Sequence, residues 1–108
     1  MLWLVLHGLA EQNPHADWES VWRGLPRGLP CPDCARHAAK TLRQRPRGLT
    51  AAATALLLHN RVNASKGLPV WSAERAREQY ALVAVREPLN YLRQFLHPEL
   101  WALLDAMA

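Results

Sequence analysis

The chain has 108 residues, enough for one domain but too few for two domains with separate cores. Half of the residues are hydrophobic and a fifth are charged, which excludes a disordered chain. The net charge of +4 comes from dispersed arginines, which we interpret as a solvated surface rather than a nucleic-acid interface. Leu and Ala make up a third of the chain and isoleucine is absent, so the composition predicts an all-α fold rather than a sandwich, a barrel or a thioredoxin-like fold.

Prolines, glycines and capping residues divide the chain into helix-length segments. In chain order we first expect an apolar helix over 2–12, a short helix capped by Asp17 and a loop over 23–30. Two longer helices follow, one from Cys31 to about Arg45 and one from Ala51 to about Lys66. The last predicted elements are a helix capped by Ser72 that runs to about Arg86 and short helices that start at Pro88 and Pro98. This predicts a four-helix bundle with additional short C-terminal helices. Residues 1–86 would form the main domain and residues 87–108 a helical extension packed on it. Three tryptophans are predicted core residues: Trp18, Trp22 and Trp101.

The only two cysteines form the sequence Cys31-Pro32-Asp33-Cys34 at a predicted helix N-terminus. Unpaired backbone N–H groups and the helix dipole stabilise a thiolate there, and the thiolate is the nucleophile of thiol–disulfide exchange. A purely structural disulfide is less favoured, because closing so short a loop removes little entropy from the unfolded chain. We interpret the pair as a redox disulfide, while a zinc site that adds His37 stays open.

Polar residues recur on one face of the helix predicted over residues 51–66. Four residues share this face: His59, Val62, Asn63 and Lys66. Burying such a stripe is costly unless a partner satisfies its hydrogen bonds, which makes the face a candidate ligand site. The alternative is an ordinary helix surface with one histidine at the edge of the core. Trp3 and His7 share a face of the first helix, where both could also be core residues.

Taken together, these motifs resemble the Erv/ALR family of FAD-dependent sulfhydryl oxidases. That family has Trp-x-x-x-His on its first helix, then Cys-x-x-Cys, His-Asn-x-Val-Asn and a Gly-x-Pro-x-aromatic tail. In this chain the same order and spacing are found in Trp3 and His7, in Cys31 and Cys34, in His59, Asn60, Val62 and Asn63, and in Gly67, Pro69 and Trp71. Tyr80 stands where the family has a further aromatic residue, and the resemblance covers roughly residues 2–80.

The resemblance implies a thiol oxidase that converts dithiols to disulfides and passes the electrons through FAD to O2, giving H2O2. FAD would bind non-covalently at the mouth of the helical bundle. Cys31 would exchange with the substrate and Cys34 would lie beside the flavin. The implied cofactor-binding residues are Trp3, His7, His59, Asn60, Val62, Asn63, Lys66 and Tyr80.

Because the chain has no second cysteine pair, a substrate must reach Cys31 directly and any dimer must be non-covalent. The expected substrate is a thiol-containing protein or a small dithiol, with O2 as the electron acceptor. Family members dimerise through their first helices, and the apolar run over residues 2–9 permits a homodimer here. We expect no nucleic-acid or membrane partner and find no targeting segment. By analogy, the compact form suits the cytoplasm of a bacterium or of a virus-infected host.

Two other functions compete with the oxidase. One is a small helical zinc-binding or interaction module that uses Cys31 and Cys34 with histidine ligands such as His37 and His59. It predicts metal instead of flavin and leaves Asn60 and Asn63 unexplained. The other is a relative that keeps the fold for protein–protein contacts and does not bind FAD.

Overall fold

The computed structural model describes all 108 residues and consists of seven helices with no strand, which confirms the all-α prediction. The helices are α1 (Leu2–Gln12), α2 (Trp18–Gly28), α3 (Pro32–Gln44), α4 (Ala51–Ser65), α5 (Ala73–Tyr80), α6 (Arg86–Leu92) and α7 (Pro98–Asp105). None of them combines the length and the hydropathy that a membrane crossing requires. The finer prediction of a four-helix bundle with FAD at its mouth stays a prediction.

Side-chain caps start the helices where the sequence indicated. Asp17, Thr50 and Ser72 each accept a hydrogen bond from the backbone N–H three residues ahead, at the beginning of α2, α4 and α5. Such a bond satisfies one of the N–H groups that a helix N-terminus leaves without an intrahelical partner. After α4, Gly67 adopts a φ of +70°, a left-handed conformation that ends the helix and favours glycine.

The helix predicted to start at Pro88 starts two residues earlier, at Arg86. Two further predicted boundaries are wrong by more, and tertiary packing explains both. α2 does not stop at Arg23 but continues to Gly28, with Pro26 inside the helix, because this last part of α2 buries Leu25 and Gly28. α5 ends at Tyr80 rather than near Arg86. The chain leaves the helix there, and Val83 and Val85 pack against Gly8 of α1, where an added Cβ atom would lie 2.6 and 2.7 Å from their Cγ1 atoms.

α1 is the central helix of the domain. It packs against α4, α5 and α6, while α2 packs between α3 and α7. Six successive residues of α1, from Val5 to Ala10, are buried, so most of its apolar surface is used within the chain. The homodimer through this helix stays a prediction, and only the first turn, Leu2 to Leu4, keeps partly exposed apolar side chains for it.

The C-terminal segment completes the same hydrophobic core. Its buried leucines are Leu89, Leu92, Leu96, Leu100 and Leu104. Trp18 and Trp22 are buried as predicted, whereas Trp101 is only half-buried and donates its indole N–H to the carbonyl of Leu89 at 2.8 Å. α7 approaches α2 so closely that a Cβ atom at Gly28 would lie 2.6 Å from the Cβ of Leu100. Glycine at position 28 therefore sets the distance between the two helices.

Candidate functional site

The cysteine pair forms the N-terminal cap of α3. Cys31 is in extended conformation just before the helix, Pro32 occupies the first helical position, and Cys31 Sγ accepts a hydrogen bond from the Cys34 backbone N–H at 3.3 Å. Proline is favoured at that position because its missing N–H would have no partner there. Both thiols are free; Cys31 is half-buried and Cys34 is exposed. The sequence thus brings both sulfur atoms to the positive end of a helix dipole.

The surroundings of the two thiols shift their pKa values in opposite directions. Hydrogen bonds from the Cys34 side chain and backbone N–H lower the pKa of Cys31, and the charges of Arg36 and Lys66 act in the same direction. The pKa of Cys34 is raised, first because its thiol is the hydrogen-bond partner of Cys31 and then by burial. When the pair loses one proton, the thiolate therefore resides on Cys31, the form that performs thiol–disulfide exchange.

An apolar cavity of about 320 Å³ lies directly against the two cysteines, and we call it the dithiol pocket. Besides residues of α2 and α3, it is lined by Leu2, Trp3 and Leu6 of α1, by Leu58, Arg61, Val62 and Lys66 of α4 and its end, and by Leu92, Phe95 and Leu96 of the C-terminal segment. Arg61 and Lys66 bring positive charge to the wall, and no carboxylate lines it. A small apolar molecule in the pocket would lie beside both cysteines.

Beside this pocket, five rings pack into a group that we call the ring cluster: Trp3, His7, His59, Trp71 and Tyr80. Trp3 stacks on His59 with ring centroids 4.5 Å apart, and His7 stacks on Tyr80 at the same distance. Trp71 contacts both His59 and Tyr80. The guanidinium of Arg75 covers the outer side of the cluster, 4.4 Å from the centre of the Trp71 ring.

The two histidines of the ring cluster share a buried hydrogen bond, 3.0 Å long, between His7 Nε2 and His59 Nδ1. Burial, and then the proximity of His59, lower the pKa of His7 to about 4. Burial also lowers the pKa of His59, and the positive N-terminus contributes. Both imidazoles are therefore neutral at pH 7, so one ring can donate its proton to the nitrogen of the other.

The two asparagines after His59 bind the backbone of the loop that follows α4. The side chain of Asn60 donates to the Trp71 carbonyl at 2.9 Å and accepts from the Trp71 N–H at 2.8 Å. Asn63 donates to the carbonyl of Pro69 at 3.1 Å. No buried side-chain nitrogen or oxygen atom in the chain lacks a hydrogen-bond partner. The polar face of α4 is thus satisfied within the chain and needs no ligand to offset its burial.

The structure divides the cofactor-binding residues named from the sequence into two groups. Trp3, Val62 and Lys66 line the dithiol pocket together with both cysteines. The others do not line it; they belong to the ring cluster or to the asparagine contacts: His7, His59, Asn60, Asn63 and Tyr80. Trp3 alone belongs to both groups, so it connects the ring cluster to the pocket.

Sequence reasoning missed several lining residues. Phe95 and Leu96 come from the C-terminal segment, where the sequence shows apolar residues but no motif. Arg61 occupies the variable position of His-Asn-x-Val-Asn, and its charge was the available signal. His37 lines the pocket beside the cysteines, but no three His, Cys, Asp or Glu side chains converge anywhere in the chain to hold a metal ion. A zinc site built from Cys31, Cys34, His37 and His59 would require these residues to move.

We compared the chain with protein-family models, with curated proteins and with solved structures, and none of the three comparisons finds a match. The resemblance to the sulfhydryl oxidases is therefore a hypothesis that rests on the sequence motifs.

Proposed function

We propose that this chain is a flavin-dependent thiol oxidase that uses Cys31 and Cys34 to convert substrate dithiols to disulfides, with O2 as the final electron acceptor. The observation that carries the proposal is the position of the two free thiols on the wall of an apolar pocket between helices. A redox cofactor must lie within contact distance of the dithiol that it oxidises, and this pocket offers the space to do so.

The residues present fit the flavin part of FAD. A cavity of about 320 Å³ is at the small end for ligand sites, large enough for the fused rings of a flavin but too small for the whole dinucleotide. Trp3 and Val62 supply apolar contacts, and Lys66 supplies a positive charge for the pyrophosphate, which would lie outside the pocket. In this proposal the ring cluster supports Trp3 from behind, and Asn60 and Asn63 hold the loop next to Lys66.

The chemistry of the cysteines follows from thiol–disulfide exchange. A substrate thiolate attacks Cys31 Sγ of the oxidised pair, the S–S bond breaks, and Cys34 leaves as a thiolate that takes up a proton. The second substrate thiolate then attacks the substrate sulfur of this mixed disulfide and expels Cys31. The lowered pKa of Cys31 makes it the better leaving group for that second step. Bound FAD would accept the electron pair from the reduced cysteines and pass it, with two protons, to O2, giving H2O2.

A visible absorption spectrum of the purified protein tests the proposal. We expect a flavin spectrum, with one FAD per chain in the supernatant after heat release. A colourless protein that takes up no added FAD would overturn the oxidase proposal. As a matched control, Leu82→Ser changes an almost fully exposed residue outside the pocket and should leave the spectrum unchanged.

A further inference from the structure

Two neighbouring aromatic side chains are exposed on the C-terminal part of the chain, and we call them the aromatic platform: Tyr91 and Phe95. Tyr91 is 52% exposed and Phe95 47% exposed, and their ring centroids are 5.4 Å apart. Exposed aromatic pairs are costly in water and are enriched where proteins bind partners. Phe95 is one of the residues that line the dithiol pocket, whereas Tyr91 does not line it.

The platform has a rigid base. Leu92 and Leu96, which alternate with the platform residues along the chain, are buried in the core. Backbone hydrogen bonds from Phe95 and Leu96 to the carbonyl of Leu92, 2.9 and 3.0 Å long, hold the turn after α6. A partner that binds here would therefore meet a preformed surface and would not have to order it.

The platform is continuous with the cysteine pair. Phe95 lines the dithiol pocket, as do Cys31 and Cys34, and is 47% exposed, so it lies where the pocket meets solvent and can contact a chain whose sulfur atom approaches Cys31 from outside. Arg61 of α4 lines the same pocket, is exposed to solvent and forms no ion pair within the chain. The occupant that matches these features carries a thiol, an apolar side chain and negative charge.

We propose that the aromatic platform binds a protein substrate, by packing against the apolar residue next to the cysteine that reacts with Cys31, and that Arg61 favours acidic residues in the same segment. This inference rests on the proposed thiol–disulfide exchange and names its substrate class. A small dithiol that does not contact the platform should react more slowly than a protein substrate that does.

An exchange assay that needs no flavin tests the inference. The Cys34→Ser protein keeps Cys31 as its only thiol and is mixed with peptides whose cysteine carries thionitrobenzoate in a disulfide. The Cys31 thiolate attacks the peptide sulfur, the S–S bond breaks, a new Cys31–peptide disulfide forms, and thionitrobenzoate leaves as a coloured thiolate. Two peptides differ only in having Phe or Gly next to the cysteine. We expect the Phe peptide to react about fivefold to tenfold faster.

The platform variants decide the assignment. In Tyr91→Ser/Phe95→Ser the preference for the Phe peptide should disappear, while thermal unfolding should stay close to that of the parent protein and show that the variant is folded. Leu82→Ser, at a residue 98% exposed and outside the pocket, should keep the preference. Equal rates for the two peptides, or a preference that survives the double substitution, would overturn the inference. So would a dimer that the double substitution dissociates without changing the preference, because the platform would then bind a second copy.

Charge is tested with Glu or Lys in place of the residue two positions from the peptide cysteine. The Glu peptide should react faster at low salt, and the difference should shrink as salt is added and in Arg61→Ser. The opposite order would overturn the acidic part of the assignment. Failure of the oxidase proposal would be visible separately, as a protein without FAD that still shows the peptide preference.

Discussion

The ring cluster and the dithiol pocket share Trp3, yet they differ in how their reactive groups are partnered. In the ring cluster each ring stacks on another ring of the same chain, and one nitrogen of His7 shares a hydrogen bond with one nitrogen of His59. In the dithiol pocket Cys31 Sγ accepts a hydrogen bond from the Cys34 N–H, and both cysteines line an apolar space. Some residues of the sequence motifs therefore stabilise the fold, in the ring cluster, whereas others are available for chemistry, in the dithiol pocket.

The comparison changes how the His-Asn-x-Val-Asn sequence is understood. Its histidine and asparagines hold other parts of the chain, whereas its valine and the following Lys66 face the pocket. Substitutions in the two regions should therefore have different effects. We expect changes in the pocket to affect turnover, and changes in the ring cluster to affect the free energy of unfolding.

The largest effect is expected in the pocket. Cys34→Ser should reduce turnover of dithiothreitol by about 1,000-fold or more, because the redox disulfide can no longer form. FAD content and thermal unfolding should stay close to those of the parent protein, since Cys34 is exposed. Turnover is measured by oxygen consumption. Undiminished turnover would remove the cysteine pair from the mechanism.

Breaking the ring cluster should affect stability first. His7→Ala leaves a cavity under Tyr80 and an unpaired nitrogen on His59, so we expect a loss of about 2–4 kcal/mol in urea unfolding. His15→Ala, at an exposed histidine, is the control and should change stability by less than about 0.5 kcal/mol. Equal effects of the two substitutions would contradict the role of the ring cluster in folding.

The buried histidines also predict a pH dependence. The folded-state pKa of His7 is about 4, below the ordinary value of 6.5, so between these values the unfolded chain binds a proton that the folded chain does not. Stability is therefore complete above pH 6.5 and falls as the pH decreases, by about 2 kcal/mol at pH 5. Urea unfolding at pH 7 and pH 5 measures this difference. It should be smaller in His7→Ala, and an unchanged difference would show that other groups cause it.

The two asparagines of α4 provide a finer comparison within the motif. Asn60→Ala removes two hydrogen bonds that hold the backbone of Trp71 and should cost about 1–3 kcal/mol. Asn63→Ala removes one exposed bond to Pro69 and should cost about 0.5–1 kcal/mol. Thermal unfolding of both variants gives the order. If Asn63→Ala instead lowered FAD retention with no change in stability, Asn63 would be a cofactor ligand.

Local chemistry explains which parts of the fold could be predicted. The capping residues Asp17, Thr50 and Ser72 bond to the backbone three residues ahead, so the local sequence is enough to predict where these helices start. The extension of α2 through Pro26 and the end of α5 depend on contacts with α7 and α1, which no local pattern contains.

The same distinction applies to the site. Helical spacing placed Val62 and Lys66 on one face, and both line the pocket beside the cysteines. The bonds of Asn60 to Trp71, eleven residues away, and the arrival of Phe95 at the pocket arise from tertiary packing. Spacing on one helix therefore identified the candidate residues but could not distinguish ligand contacts from contacts within the chain.

The contact between Gly28 and Leu100 restricts which residues a relative of this protein can have at these two positions. Because a Cβ atom at position 28 would collide with Leu100, a chain with alanine or serine there needs a smaller residue at position 100 or a wider spacing between α2 and α7. The two positions should therefore vary together among homologues. Such paired variation would identify distant relatives of this fold even where the cysteine motif has been lost.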